Sequence, residues 1–150
     1  MRAEVQRVSQ ASVSSNGEYL AKIKGGLLVL LGIAKTDTKD DVCWLSKKLA
    51  NLRIVNDSDN MMNISLKDSD GSAIVVSQFT LHAKIKKGNR PSYVKAANSD
   101  IAKSLYEHFI NQFEIDLEKK IQSGKFGANM KLALTNDGPV TIIIDTKQCE

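Results

Sequence analysis

The first residues that could do chemistry lie at the end of an apolar run in the middle of the chain. Residues Ala73 to Leu81 are rich in β-branched side chains and predict a buried strand. Its second half carries four candidates for an active site: Ser77, Gln78, Phe79 and Thr80. Strand alternation would place Gln78, Thr80 and His82 on one face. The pattern favours either polar groups that bond to neighbouring backbone or a pocket wall with a nucleophile or oxyanion donors.

A second candidate is the turn from Asn136 to Thr141, with the sequence Asn-Asp-Gly-Pro-Val-Thr. Asp-Gly ahead of a hydrophobic run is typical of an ordinary hairpin turn. The alternative is functional, because Gly138 has no side chain and the cis form of an X-Pro bond costs only about 0.5 to 1 kcal/mol. Such a turn could press bare backbone carbonyls against a ligand, and both interpretations stay open.

Two loops add candidates for binding. The segment from Gly124 to Met130 displays the ring of Phe126 and a thioether between glycines. This suits either stacking on a nucleobase or filling a small hydrophobic gap. A basic segment comprises Lys84, Lys86, Lys87 and Arg90. It is either a solvated loop or a phosphate-binding segment.

A hydrolytic triad made only of protein residues is poorly supported. No Ser-His-Asp order and no nucleophile elbow is legible, and only His82 and His108 could act as imidazole bases. Residues 68–71, Asp-Ser-Asp-Gly, are similar to the start of a calcium loop, but the flanking helices and the closing Glu are missing. We therefore predict a simple turn and no metal site there.

The first part of the chain predicts three strands. Two tight-turn dipeptides, Asn-Gly and Gly-Gly, separate strands near residues 2–14, 18–24 and 27–34. The third is apolar throughout, which predicts a central strand buried on both faces. In the first strand the apolar phase changes near Arg7, which predicts a bulge or twist there and an unusual direction for its side chain.

Two amphipathic helices follow, one from Thr38 and one from Ser99. Their apolar faces carry, in turn, Val42, Leu45, Leu49 and Leu52, then Ile101, Leu105 and Phe109. Residues 56–72 are polar and predict an exposed loop, whereas 131–135 and 140–145 predict strands. This order predicts an α/β fold, a single domain with a mixed, barrel-like curled β-sheet and helices packed outside.

Composition narrows the class of protein. Of the 150 residues, 42% are hydrophobic and 25% charged, which is typical of one globular domain, here 1–150. The longest apolar run, 27–31, is too short to cross a bilayer, and no export signal is legible. Cys43 and Cys149 do not suggest a disulfide framework, so a reducing cytoplasm fits. The net charge of +4 is compatible with a polyanionic partner without requiring one.

Together these segments resemble the D-aminoacyl-tRNA deacylases. The two signature motifs of that family are present at residues 77–81, Ser-Gln-Phe-Thr-Leu, and at residues 136–141. Residues 6–8, 11–13, 90–92 and 126–128, together with Met130, match the family in the same order. The resemblance therefore covers almost the whole chain.

The resemblance implies a cytoplasmic esterase that hydrolyses D-aminoacyl-tRNA, and glycyl-tRNA as well, without a cofactor or a membrane. The residues it implies for catalysis are Ser77, Gln78, Phe79 and Thr80. Backbone N–H groups near Phe79 and Thr80 would face the developing oxyanion, and the substrate's own 2′-hydroxyl would assist. No cofactor is required for that chemistry.

It also implies a homodimer with a shared site. Gly138-Pro139 of one subunit would reach into the partner's pocket through a cis peptide and exclude L-aminoacyl groups. The remaining substrate-binding residues that it implies are Asn136, Thr141, Phe126, Met130 and Arg7. Among these, Phe126 and Met130 would hold the terminal adenosine, and Arg7 would fix the Gly-Pro turn.

Two other classes stay open beside this one. The first is a module that binds tRNA or DNA without cleaving it, and the second is a hydrolase with Thr80 as nucleophile and His82 as base. An assay with D- and L-aminoacyl-tRNA separates the first class from an enzyme. Substitutions at Thr80 and His82 isolate the second.

Overall fold

The computed structural model describes residues 1–148 as a six-stranded mixed sheet, a small two-stranded sheet and two long helices. The strands are β1 Arg2–Ser15, β2 Glu18–Ile23, β3 Gly26–Gly32, β4 Val55–Asn56, β5 Met62–Ile64, β6 Ser72–Ser77, β7 Gln122–Ser123 and β8 Lys131–Asp145. The helices are α1 Lys39–Asn51 and α2 Ser99–Leu117, with a short 3₁₀ helix at Phe79–His82.

The main sheet curls because its first strand is shared by three neighbours. Strand β1 pairs with β3 through residues 2–8, then with β2 through residues 11–15, and with β8 along its other edge. The strand order is β2-β1-β3-β6-β7, with β3, β6 and β7 parallel. The side chain of Gln122 on β7 then bonds to both backbone groups of Lys22 on β2, each at 2.7 Å. The two ends of the sheet therefore meet, and the predicted barrel-like α/β fold is confirmed.

The central strand β3 is buried on both faces, as its continuous apolar sequence predicts. Leu27, Val29 and Leu31 pack in the core beneath the helices, whereas Leu28 belongs to a second core inside the curled sheet. The apolar side chains of β1 change core at the phase shift. Val5 packs in the first core, whereas Val8, Ala11 and Val13 pack in the second. A single strand thus serves both cores.

The two helices cover the outer face of the sheet, as expected. Helix α1 begins after Thr38, whose backbone N–H donates to Asp41 Oδ2 at 2.8 Å. Helix α2 begins after Asn98, whose Oδ1 accepts from Ile101 N at 3.0 Å. The apolar face of α2 differs from the prediction, since Ile101 is 46% exposed and the buried positions continue as Leu105, Tyr106, Phe109, Phe113 and Leu117.

Two of the predicted boundaries are wrong. The strand predicted for 73–81 ends at Ser77, and the chain then turns into the 3₁₀ helix, so Gln78, Thr80 and His82 do not share a strand face. The predicted loop 56–72 contains the small β4–β5 hairpin, and Leu66 within it is fully buried. At 68–71 the chain turns, and the Lys119 ammonium donates to three backbone carbonyls there: Leu66, Ser69 and Gly71.

The predicted strands 131–135 and 140–145 are the two halves of one strand, β8. Both halves pair with β1, at Val8↔Asn136 and at Gln6↔Thr141, so residues 137–140 form an excursion opposite Arg7. The hairpin interpretation of the Asp-Gly turn is therefore wrong. The predicted irregularity near Arg7 is confirmed, and its origin is this excursion, because β1 and β3 stay in regular register across the same position.

Within residues 1–148, no helix is long and apolar enough to cross a membrane. Cys43 is a free, exposed thiol. Cys149, the other cysteine of the chain, lies outside the described residues.

Candidate active site

A cavity of about 520 Å³ opens where β6 ends. Its walls are the residues that follow β6, the start of α2 and the loop 124–130. Five of the predicted site residues line it: Ser77, Gln78, Phe79, Phe126 and Met130. The fold thus brings together two segments that lie about fifty residues apart in the sequence.

The β6 end of the cavity is built by an abrupt change from strand to helical turn. Gln78 N makes the last ladder bond, to Leu31 O at 2.8 Å, and Leu81 N then donates back to Gln78 O at 3.3 Å. The N–H groups of Phe79 and Thr80 open this turn, and the first N–H groups of a helix have no acceptor within it. These two N–H groups therefore have no acceptor within the helix, and Phe79 lines the cavity.

Thr80 itself does not line the cavity. Its hydroxyl accepts a hydrogen bond from the Gln78 side-chain amide. The half-buried Thr80 hydroxyl thus orients Gln78, which does line the cavity.

The opposite wall is fixed by an aromatic pair. The ring centroids of Phe126 and Tyr106 lie 5.6 Å apart, and Tyr106 OH donates to Val75 O at 2.9 Å. Burial raises the pKa of Tyr106 to about 12, so the phenol remains a donor at neutral pH. Gly124 N bonds to the same carbonyl at 3.0 Å, and a Cβ at Gly124 would lie 2.6 Å from Met130 Sδ. Glycine therefore lets Met130 close over the loop.

The Gly138-Pro139 turn lies apart from this cavity. Its peptide bond is cis, and Gly138 has φ +137°, in the region that favours glycine. Asn136 holds the excursion closed, because its Oδ1 accepts from Val140 N at 2.7 Å and its Nδ2 donates to Thr141 Oγ1 at 3.0 Å. Residues 137–139 are exposed, so the turn presents its backbone to solvent.

Arg7 supports this turn from beneath. The buried guanidinium donates from Nε to Asp137 O at 2.9 Å and from Nη1 to Ile54 O and Asn56 Oδ1, each at 2.8 Å. A Cβ at Gly138 would lie 2.9 Å from Arg7 Nη2. The planar fork of Arg7 thus links the turn to the β4 strand.

Apart from Thr80, the predicted site residues therefore fall into two groups. The first lines the cavity, and the second forms or supports the turn: Arg7, Asn136, Gly138, Pro139 and Thr141. None of the second group lines the cavity of the same chain. Sequence reasoning missed Tyr106 and Asn56. The helical spacing of Tyr106 with Phe109 and Phe113 could have indicated the former, whereas nothing local indicated the latter.

His82 is buried, and among residues 1–148 its Nε2 has no hydrogen-bond partner. Burial lowers the pKa of His82, and the hydrogen bond with the Gly32 backbone opposes this only in part. The imidazole does not line the cavity.

Comparisons with known proteins show the family of the chain. A family model described as D-Tyr-tRNA(Tyr) deacylase matches residues 4–145. A D-aminoacyl-tRNA deacylase from Flavobacterium psychrophilum is 56% identical over 150 residues, with 100% of each chain covered. A solved structure titled c-Myc DNA Unwinding Element Binding Protein is 38% identical, with a TM-score of 0.91 over 97% of this chain and 98% of its own. A probable eukaryotic D-amino acid tRNA deacylase shares the fold, with a TM-score of 0.84 at 17% identity over 95% and 97%.

The family model and the full-length match to a D-aminoacyl-tRNA deacylase show an ester hydrolase of the deacylase class. The chain belongs to the D-Tyr-tRNA(Tyr) deacylase family. The resemblance inferred from its motifs is thereby confirmed, as is the expected enzyme class, a deacylase.

Proposed function

We propose that residues 1–150 form one domain that hydrolyses the ester bond of D-aminoacyl-tRNA in the cytoplasm, and that rejects L-aminoacyl-tRNA. The observation that carries this proposal is the cavity with Gln78 and Phe79, at the start of the 3₁₀ helix, on one wall and with Phe126 and Met130 on another. One wall suits a nucleobase and the other a developing oxyanion. Family membership supplies the substrate class.

The terminal adenosine binds against the loop 124–130 in this proposal. The Phe126 ring is half-buried and backed by Tyr106, so it offers a face whose position is fixed. Met130 adds a polarizable thioether that adapts to a purine. Neither group forms hydrogen bonds with the edge of a base, so both would contact its face. This wall therefore suits the stacked adenosine that is common to the 3′ end of every tRNA.

Catalysis proceeds without a nucleophile from the protein. The ribose 2′-hydroxyl next to the ester activates a water molecule, which attacks the carbonyl and releases the amino acid and the ribose hydroxyl, and the N–H groups of Phe79 and Thr80 stabilise the oxyanion. Each such donor is worth about 3 to 4 kcal/mol of transition-state stabilisation. The buried His82, which lies off the cavity, and Thr80, whose hydroxyl already accepts from Gln78, leave the Thr80-His82 alternative with little support.

A homodimer completes the site in this proposal. The Gly138-Pro139 turn projects from the sheet and does not line the cavity of its own chain, whereas a two-fold axis would carry it to the partner's cavity. The surface around β8 supports such a contact. Ile143 is 75% exposed, Trp44 is 39% exposed, and both border a depression of about 660 Å³.

Rejection of the L-enantiomer follows from where the turn would lie. The carbonyls of Gly138 and Pro139 would occupy the space into which an L-side chain projects, so L-substrates are excluded by steric overlap. D-side chains of many sizes are accepted because they point elsewhere. Glycine has no side chain to exclude, so glycyl-tRNA is hydrolysed too.

The test is release of the amino acid from D-Tyr-tRNA by the wild type and two tryptophan variants on α2. Ala102→Trp fills the cavity that Ala102 lines, whereas Ile115→Trp adds the same ring at a position that is 68% exposed. Wild type and Ile115→Trp should cleave, and Ala102→Trp should not, at equal folded fraction by thermal melting. A wild type that binds the tRNA without cleaving it would instead support the binding module.

A further inference from the structure

The segment 83–98 carries an unusual share of the protein's charge. It contains five basic residues, Lys84, Lys86, Lys87, Arg90 and Lys95, and no acidic residue. The other residues share 16 of the 21 Lys and Arg and all 17 Asp and Glu, so outside this segment the chain is close to neutral. The positive charge of the protein is thus concentrated in one place.

Among the residues that the structure describes, these cations have no carboxylate partners. All five side chains are exposed, and no ion pair within residues 1–148 involves any of them. Lysines elsewhere do pair with carboxylates, as Lys67 does with Glu118 and Lys147 with Asp41. The segment therefore keeps its full positive potential toward solvent.

Part of the segment is held as a closed loop with a hollow on its surface. Lys84 and Ser92 exchange two backbone hydrogen bonds, at 2.8 and 3.0 Å, which close the residues between them into a loop. A hollow of about 450 Å³ is lined by Lys84, Lys86, Lys87 and Ser92. Three ammonium groups and a hydroxyl around one hollow suit an anion such as a phosphate diester.

Both ends of the loop are attached to the candidate active site. Before it runs the 3₁₀ helix that begins at Phe79, and after it Tyr93 packs edge-on against the Phe79 ring, with centroids 4.9 Å apart. Ala97 then bonds to Ile33 O at 2.9 Å, and both residues line the cavity. The hollow is thus fixed at the rim of the cavity.

We propose that the loop 84–92 binds backbone phosphates of the nucleotides that precede the terminal adenosine of the tRNA. This rests on the proposed function, because the adenosine in the cavity brings the adjoining strand to the rim. The contact holds the tRNA without reading its sequence, since phosphates carry no base information. It also explains how a cavity with little polar selectivity gains affinity for a whole tRNA.

The test compares Lys86→Gln/Lys87→Gln with Lys39→Gln/Lys47→Gln, which removes two exposed charges from α1. Two substrates are used: D-Tyr-tRNA, and D-tyrosyl-adenosine, which has the ester and the 2′-hydroxyl but no phosphate. On D-Tyr-tRNA, the slope of log kcat/KM against log salt should become shallower by about 1.4 in the loop variant, and kcat/KM should fall about tenfold or more at low salt. Cleavage of D-tyrosyl-adenosine should match wild type, and the α1 variant should match wild type on both.

A loop variant with wild-type salt dependence on D-Tyr-tRNA would overturn the proposal. So would an equal loss on both substrates, which would mean that the lysines act in the cavity. If wild type cleaved neither ester, the proposed function would be wrong. The salt dependence of uncharged tRNA binding by the same proteins would still decide the role of the loop.

Discussion

Arg7 and Asp137 are joined at 2.9 Å, from the guanidinium Nε to the carbonyl oxygen of the residue that precedes Gly138. The same guanidinium donates to Asn56 Oδ1 and Ile54 O. The position of the Gly-Pro turn therefore depends on a buried arginine with three acceptors. A lysine cannot satisfy them in one plane, because its ammonium is a single point.

Arg7→Lys is accordingly expected to loosen the turn. We expect the free energy of unfolding to fall by about 1 to 3 kcal/mol and hydrolysis of L-Tyr-tRNA to rise relative to D-Tyr-tRNA. Urea unfolding and single-turnover deacylation measure the two effects. Arg53→Lys is the matched control, because Arg53 is exposed and bonds to Asn63 away from the turn. If both variants had the same ratio of D-Tyr-tRNA to L-Tyr-tRNA hydrolysis, Arg7 would have no role in selectivity.

Asn56→Ala should reproduce the change in selectivity more weakly, because it removes one of the three acceptors of Arg7. We expect a loss of stability of about 1 kcal/mol. Gln10→Ala is the control, since it removes an exposed side-chain hydrogen bond to Thr135. This bond joins β1 and β8, the strand that contains the Gly-Pro turn. If Asn56→Ala lost stability but kept wild-type discrimination between D- and L-Tyr-tRNA, Asn56 would be structural only.

The site-sharing proposal predicts complementation between two inactive chains. Gly138→Trp damages the turn and Ala102→Trp fills the cavity, so each homodimer should be inactive. A mixed dimer contains one intact cavity facing one intact turn, and a random mixture should recover about a quarter of the wild-type sites. Activity that stays at the sum of the two parents after subunit exchange would show that the site is not shared.

Removing the protein's hydroxyl should matter less than removing the hydroxyl of the RNA. Thr80→Ala should keep substantial activity, because the Thr80 hydroxyl acts only through Gln78 and the substitution keeps the Thr80 backbone N–H. His82→Ala should keep nearly all of its activity when assayed at equal folded fraction. A 2′-deoxy terminal adenosine should slow cleavage by far more. Normal cleavage of that substrate together with an inactive Thr80→Ala enzyme would favour a protein nucleophile.

Much of this site could be predicted because its motifs are local. The apolar run of β3 and the loss of phase near Arg7 are visible in the sequence, and both features are present in the structure. The end of β6 was misplaced, since Phe79 and Thr80 are residue types that favour strands, while the last ladder bond is made by Gln78 N. Only the position of β3 decides where that strand stops.

The hairpin interpretation of the Gly-Pro turn failed for a non-local reason. Asp-Gly is compatible with a hairpin, but both flanking segments pair with β1, which lies more than a hundred residues away in the sequence. Asn56 was missed for the same reason, because its contact with Arg7 spans 49 residues. Turn propensity cannot report which strand is the neighbour.

Stability should depend on pH through His82. Burial lowers the pKa of His82 from its ordinary 6.5, so the unfolded chain binds the proton more tightly than the native one. The free energy of unfolding should therefore be fully retained above about pH 6.5 and decline as the pH falls below it. His82→Gln should decline less between about pH 7 and 5. Urea unfolding tests this, and an equal decline in both proteins would contradict it.

Carboxylates should not obscure that window. Hydrogen bonds from Lys147 and Thr146 outweigh the effect of burial and hold the pKa of Asp41 well below 3.8. The contribution of Asp41 is present above about pH 4 and is lost only in stronger acid. Among residues 1–148, the other carboxyl groups with a lowered pKa are Asp57, Asp145 and Glu114, whose ordinary values of 3.8 and 4.5 also lie below this window, so the decline above pH 5 is due mainly to the imidazole.

The central claim is that the site excludes the L-side chain rather than gripping a D-side chain. Single-turnover hydrolysis of four tRNA esters, D-Tyr, D-Asp, Gly and L-Tyr, tests it most directly. The account predicts that both D-esters and the glycyl ester are cleaved while L-Tyr-tRNA is spared. Inert glycyl-tRNA beside rapid cleavage of D-Tyr-tRNA would contradict it, because it would mean that the cavity recognises a side chain positively.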